Sequence, residues 1–245
     1  MCTVTYLPKN NGDFIFTSNR DEQPDRKTKA PQFYEKDGVH FLYPKDEKAG
    51  GTWIALSEEE RLVCLLNGAY EAHEMKGPYA YSRGLVVKEV LEAENAKWAV
   101  EDLELEGVEP FTLITIDWSF MPICIELIWD GVKKDIRILS HSSKMWSSST
   151  LYDKPIKAIR ENWFKEFEKQ YPEASFEDIM SFHNNESHGS KDIAIKMKRE
   201  GVETTSITSV IKEGDSLYMY YVDVLTGKES KIDIMSYKSE MTINE

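Results

Sequence analysis

A thiol and a set of charged and amide side chains suited to covalent catalysis lie at the start of the chain. Cys2 puts a thiol at position 2, and the short apolar run Phe14-Ile15-Phe16 leads through Thr17 and Ser18 into the polar tetrapeptide Asn19-Arg20-Asp21-Glu22. If Met1 is removed, Cys2 carries both a nucleophile and a free α-amine. An α-amine titrates near roughly 7.7–8.0, so it can take the proton of its own thiol without help from a histidine. A cation such as Arg20 favours the thiolate. A carboxylate such as Asp21 holds an ammonium through a charge-assisted hydrogen bond. Attack on an amide carbonyl also needs a donor for the developing oxyanion, and Asn67, at the end of the apolar run Arg61–Leu66, is expected to supply it. The expected catalytic set is therefore Cys2, Arg20, Asp21 and Asn67.

These residues converge only if the chain folds back on itself. Asn10-Asn11-Gly12-Asp13 between two apolar runs is a hairpin signal, and it would return Asn19-Arg20-Asp21 to the neighbourhood of Cys2. The first third reads as strands: Cys2–Leu7, Phe14–Asn19, Val39–Tyr43, Thr52–Leu56 and Arg61–Leu66. A charged loop, Glu22–Lys29, follows the second of them. Ser82 is placed to cap a helix over Arg83–Glu94, with Leu85, Val86, Val90 and Leu91 on one face, and Asn95 to cap another over Lys97–Leu105. Strands are expected again at Phe111–Asp117, Ile123–Trp129 and Asp135–Leu139. A long helix then runs over Lys154–Gln170, capped by Asp153, with Pro155 in its first turn. Ser175 with Asp178 opens a further helix to His183, and strands close the chain at Ser206–Lys212, Ser216–Asp223 and Lys231–Ile234. Strands, helices, strands, helices, strands fit an α+β protein built as a four-layer αββα sandwich, with one helical block on each of two antiparallel sheets. An α+β fold with a single sheet fits the same order.

The 245 residues suit one domain, 1–245, with 41% apolar and 30% charged residues. A net charge of −13 argues against a nucleic-acid partner. No apolar run approaches the roughly 18 residues of a membrane span, so no stable membrane insertion is expected. The start of the chain lacks the pattern of a secretory leader, and three cysteines without a CxxC spacing suit a reducing, cytoplasmic setting. Cys64 and Cys124 sit in apolar runs and read as small core residues. The five histidines form no metal-binding pattern, so no metal is expected.

Met1-Cys2, Asn19-Arg20-Asp21-Glu22 and Gly50-Gly51-Thr52-Trp53, in this order within the first third of the chain, resemble the NRDE family, which includes the transport and Golgi organisation protein 2 homologues. Asn67 and the segment Trp146-Ser147-Ser148-Ser149-Thr150-Leu151 extend the resemblance. It implies the αββα fold of N-terminal-nucleophile hydrolases and, more distantly, a likeness to bile-salt hydrolase and penicillin V acylase. Their roles carry over to Cys2 as nucleophile, Arg20 and Asp21 as its support and Asn67 as oxyanion donor. Two departures stand out: where those hydrolases have a second Asn before the long helix this sequence offers only Ser148 or Ser149, and the late strand begins Glu203-Thr204-Thr205-Ser206 without an Arg. Arg199 is the nearest.

The expected activity is hydrolysis of a non-peptide amide bond. The alternative is a carrier of haem or another hydrophobic ligand on the same fold, as implied by the link of animal members to haem movement, with His73 as candidate axial ligand. Either reading needs a small-molecule or amphiphilic ligand. Its contacts are expected from Asn19, Glu22, Trp53, Tyr70, Trp146 and Ser148, with Tyr79, Tyr81 and Tyr152 nearby in sequence. No cofactor is otherwise implied.

Overall fold

Short apolar runs punctuated by turn residues fold as strands throughout the first third of the protein. The computed structural model of the protein describes residues 3–74, 77 and 79–234; Cys2 lies outside them. In chain order the strands are β1 (Thr3–Pro8), β2 (Phe14–Glu22), β3 (Thr28–Lys36), β4 (Val39–Asp46), β5 (Ile54–Ser57), β6 (Arg61–Asn67), β7 (Phe111–Asp117), β8 (Ile123–Trp129), β9 (Lys134–Leu139), β10 (Lys144–Ser147), β11 (Lys198–Arg199), β12 (Val202–Glu213), β13 (Ser216–Asp223) and β14 (Lys228–Asp233). The helices are α1 (Arg83–Glu92), α2 (Ala96–Asp102), α3 (Lys154–Gln170) and α4 (Phe176–His183). No helix among the described residues is long and apolar enough to cross a membrane.

The chain packs into two compact units, the first formed mainly by residues 26–142 and 147–157, the second by 3–25, 143–146 and 158–234. The first holds an antiparallel sheet in the order β3-β4-β5-β6-β7-β8-β9. One face packs against α1 and α2 through Val63, Leu65, Leu113, Leu127, Val86 and Val90. The alternate residues Ile54, Leu62, Cys64, Ile114 and Cys124 are buried too, so both faces of this sheet are apolar. The second unit holds the sheet β10-β1-β2-β12-β13-β14, with β11 beside β12. Leu7, Ile15 and Ile211 on one face meet Phe164 and Phe167 of α3 and Ile179 and Phe182 of α4.

The caps fall where the sequence places them. Ser82 accepts from Gly84, Asn95 from Trp98 and Asp153 from Ile156, and Ser175 with Asp178 forms a reciprocal capping box. Some details differ from the sequence reading, besides shifts of a few residues at element ends. Residues 28–36, part of them read as a charged loop, form β3. It is an edge strand whose register shifts between Lys29 and Gln32, around Pro31, and a residue without an N–H is tolerated at an edge or bulge. The four-residue β10, also at an edge, is too short to show periodicity. On α1, Val87 is buried in place of Leu85, which is 49% exposed.

Candidate functional site

In the second unit the site grows from the end of β2. β1 and β2 pair antiparallel with Thr3 opposite Asn19, joined through the expected turn, where Asn11 and Gly12 adopt positive φ. Strand alternation sends Ile15, Thr17, Asn19 and Asp21 to the helix-covered face and Phe16, Ser18 and Arg20 to the other. Asp21 accepts a 2.6 Å hydrogen bond from the Thr204 hydroxyl, which accepts in turn from the Met197 N–H. Arg20 donates from Nη1 to Thr205 Oγ1 at 3.2 Å, and that hydroxyl donates to the Arg20 carbonyl. The Arg20 guanidinium also lies 4.0 Å from the Glu22 carboxylate. A bulge makes this possible: Thr204 pairs with Asp21 and Ser206 with Arg20, leaving Thr205 as the extra residue. Neighbouring threonines can thus serve side chains on opposite faces of β2. Arg20 and Asp21 are each only 3% exposed. A pocket of about 390 Å³ opens at this strand end, with Thr204, Glu203, Lys191, Lys196, Lys198 and Leu225 in its wall.

Asn19 does different work. Both of its amide hydrogens are used, donating to the carbonyls of His183 and Ile195 at 3.0 Å, and its Oδ1 is 2.7 Å from His183 Nδ1. Completely buried, it ties β2 to α4. Because Oδ1 only accepts, His183 carries its proton on Nδ1, and Nε2 accepts from the Thr5 hydroxyl at 2.8 Å. Beside it Arg160 of α3, with no exposed surface, donates to the carbonyls of Ile193 and Ala194 and to the Thr3 hydroxyl. Burial, and then the Arg160 charge, push the His183 pKa down to about 3.

The unfolded chain therefore binds a proton at His183 that the folded chain does not, between about 6.5 and about 3, and stability falls as pH drops through that window. Going from pH 7 to pH 5 should cost about 2 kcal/mol from this group. Urea denaturation at the two pH values measures it; in His183→Gln, less stable overall, that increment of pH dependence should vanish.

The first unit carries a second group around Asn67. Its carbonyl accepts from the Ser148 hydroxyl at 2.6 Å. The next residue, Gly68, donates its N–H to the Pro110 carbonyl and accepts from the Thr112 hydroxyl. Gly68 has φ +82, and a Cβ there would lie 2.2 Å from Ser149 Oγ, so only glycine fits. The backbone at 67–68 is thus bolted on three sides, while the half-buried Asn67 amide makes no hydrogen bond to any described residue. Ser148 is committed to the Asn67 carbonyl and Thr150. Ser149, 3% exposed, has a buried hydroxyl with no hydrogen-bond partner among the described residues.

The remaining expected residues each have their own local partners. Trp53 is buried just ahead of β5, where Gly51 approaches the Gly84 Cα so closely that an added Cβ would sit 3.2 Å from it. Tyr70 is exposed and donates to Asp135 at 2.5 Å, which raises its pKa to about 12. Trp146 is buried under the Lys144 ammonium, 5.0 Å from the ring centroid. Glu22 caps the Gln23 N–H. His73 Nε2 lies 3.2 Å from a Glu109 carboxylate that also pairs with Arg83. Arg199 donates to the Asp192 carbonyl. No group of three or more metal-ligating side chains occurs among the described residues.

Sequence reasoning passed over Arg160 and His183, although a signal was present. Arg160 falls four residues before Phe164 and seven before Phe167 on an apolar stripe, and His183 four after Ile179. A polar residue on the buried face of an amphipathic helix asks what satisfies it.

Residues 1–221 match the family model described as Transport and Golgi organisation 2. No curated protein sequence matches the chain. Among solved structures, penicillin V acylase from Agrobacterium tumefaciens superposes with a TM-score of 0.61 at 12% identity, over 96% of this chain and 86% of that one. The Caenorhabditis elegans N-acylethanolamine-hydrolyzing acid amidase ortholog gives 0.62 at 12% identity over 95% and 100%. A variant of conjugated bile acid hydrolase from Clostridium perfringens gives 0.54 at 12% identity over 96% and 93%. The fold is accordingly that of the N-terminal-nucleophile hydrolases.

Proposed function

The chain belongs to the Transport and Golgi organisation 2 family, and on that premise we propose that it is an amidohydrolase whose nucleophile is Cys2 after loss of Met1, acting on a non-peptide amide. The observation that carries this reading is the buried Arg20 and Asp21 clamp on Thr204 and Thr205. It begins one residue after Asn19, which pairs with Thr3, the sequence neighbour of Cys2. Fixing a cation and a carboxylate in place, largely out of water, costs stability, and arrangements that carry this cost cluster at functional sites.

The Cys2 α-amine takes the thiol proton, and the sulfur attacks the substrate carbonyl carbon. Asp21 orients the resulting ammonium, and Arg20 favours the thiolate that precedes attack. The tetrahedral oxyanion collapses to a thioester as the C–N bond breaks, and the ammonium gives its proton to the departing amine. Water then attacks the thioester, the α-amine again taking and returning a proton, and a carboxylic acid leaves. Asn67 donates to the oxyanion. Its bolted backbone, and an amide without a hydrogen-bond partner among the described residues, favour that role, since a donor fixed beforehand needs no reorganisation in the transition state. Ser149 takes the place beside it that Ser148 cannot fill, because the Ser148 hydroxyl is already spent.

The names of the three similar structures suggest a test panel: penicillin V, an N-acylethanolamine and a conjugated bile acid. With any member that is turned over, Asn67→Ala should lower kcat by roughly 10²–10³-fold. Ser149→Ala should lower it by a smaller factor, and Ser148→Ala should act mainly on stability. Equal rates in Asn67→Ala and wild type would remove Asn67 from the mechanism.

A further inference from the structure

Apart from the residues of the proposed reaction, α3, α4 and the residues that follow them line a second, half-open pocket within the second unit, of about 200 Å³. Five rings follow one another around it. Trp163 stacks on His188 with centroids 5.0 Å apart and planes at 17°. His188 lies 5.8 Å from Phe182, Phe182 5.0 Å from Phe167, and Phe167 5.2 Å from Tyr171.

The charged side chains of its lining are both acidic, Glu166 and Asp178. Glu166 forms no ion pair or hydrogen bond with any described residue. Asp178 is held in its ionised form by the N–H and hydroxyl of Ser175. Among the described residues no lysine or arginine lines the pocket, and Arg160, three residues before Trp163, donates to the Ile193 and Ala194 carbonyls and to Thr3. Burial keeps the His188 pKa below its ordinary value, so its ring adds no positive charge at neutral pH. The Nδ1 of His188 is buried with no hydrogen-bond partner among the described residues, a leftover polar demand of the kind a ligand group satisfies.

Aromatic faces and carboxylates both attract positive charge, and several faces together select a diffuse organic cation over a tightly hydrated metal ion. We propose that this pocket binds a small organic cation, with a quaternary or substituted ammonium head against the Trp163, Phe167, Tyr171 and Phe182 rings and Glu166 as its counter-ion. The volume falls below the roughly 300–1,000 Å³ of pockets for drug-sized ligands, which limits the occupant to a head group with a short tail. The assignment does not depend on the amidohydrolase reading.

Choline and its uncharged isostere 3,3-dimethylbutan-1-ol are suitable probes, titrated into the full-length protein by calorimetry. Saturable choline binding is expected, with the neutral isostere at least about 10-fold weaker. Tyr171→Ala and Glu166→Gln alter exposed side chains, and circular dichroism checks that both variants fold. Each should weaken choline binding by a factor of roughly 2–30. Absence of saturable binding, equal binding of the neutral isostere, or choline affinity unchanged in both variants would overturn the proposal.

Discussion

Cys2→Ala should reduce amide hydrolysis by at least about 10⁴-fold, the scale seen when a covalent nucleophile is deleted and binding alone is left. The initial rate of amine release from a turned-over panel substrate measures this. The loss should be in kcat, because the thiol acts on the reacting carbon and contributes little to ground-state binding. The other two cysteines offer no substitute: Cys64 and Cys124 are buried in the first unit at 0% and 4% exposure. A thiol-reactive probe at neutral pH should therefore label Cys2 far faster than either. A loss of less than 10-fold in Cys2→Ala would mean that some other group attacks.

The second large effect is on stability and lies far from this chemistry. Arg61, 2% exposed on β6, meets Asp117 of β7 at 2.8 Å. Its remaining donors reach the carbonyls of Val90, Leu91, Ala93 and Glu94, where α1 ends. One side chain thus binds two strands together and satisfies the open carbonyls of a helix whose macrodipole favours a cation there. Arg61→Met should cost about 3–5 kcal/mol, since it leaves a buried carboxylate without its partner. Urea denaturation followed by circular dichroism reads the loss. Arg61→Met combined with Asp117→Leu should recover part of it, because no buried charge is then left alone. The recovery should be incomplete, as the α1 carbonyls stay unsatisfied. A change below 1 kcal/mol in Arg61→Met would show that water replaces the guanidinium freely.

Much of this architecture was legible because local and tertiary preferences agree. Continuous apolar runs at Phe14–Phe16 and Leu62–Leu66, polar caps at Ser82, Asn95 and Ser175, and the Asn-Gly turn at 11–12 each point to the element that forms. The order of elements placed one helical block on each sheet, and the packing of α1 with α2 and of α3 with α4 follows it. β3 was illegible because an edge strand has no apolar alternation to enforce and tolerates Pro31.

The candidate site was legible as residue types but not as assignments. Asn19 sits in the tetrapeptide beside Arg20 and Asp21, yet strand alternation turns it to the opposite face from Arg20 and a buried histidine uses its amide. Ser148 and Ser149 are indistinguishable in sequence. They separate only in three dimensions, where one hydroxyl meets the Asn67 carbonyl and the other has no hydrogen-bond partner among the described residues. The bulge that assigns Thr204 to Asp21 and Thr205 to Arg20 leaves no mark in composition.

The proposed reaction passes through a thioester on Cys2 as the first residue of the mature chain. Intact mass spectrometry of the protein quenched in acid during turnover detects that intermediate. A chain without Met1 that gains the mass of the acyl group is expected. The adduct should map to the N-terminal peptide, be released by hydroxylamine and be absent from Cys2→Ala. A retained Met1, or turnover with no acyl adduct on Cys2 even when the quench is fast, would contradict it.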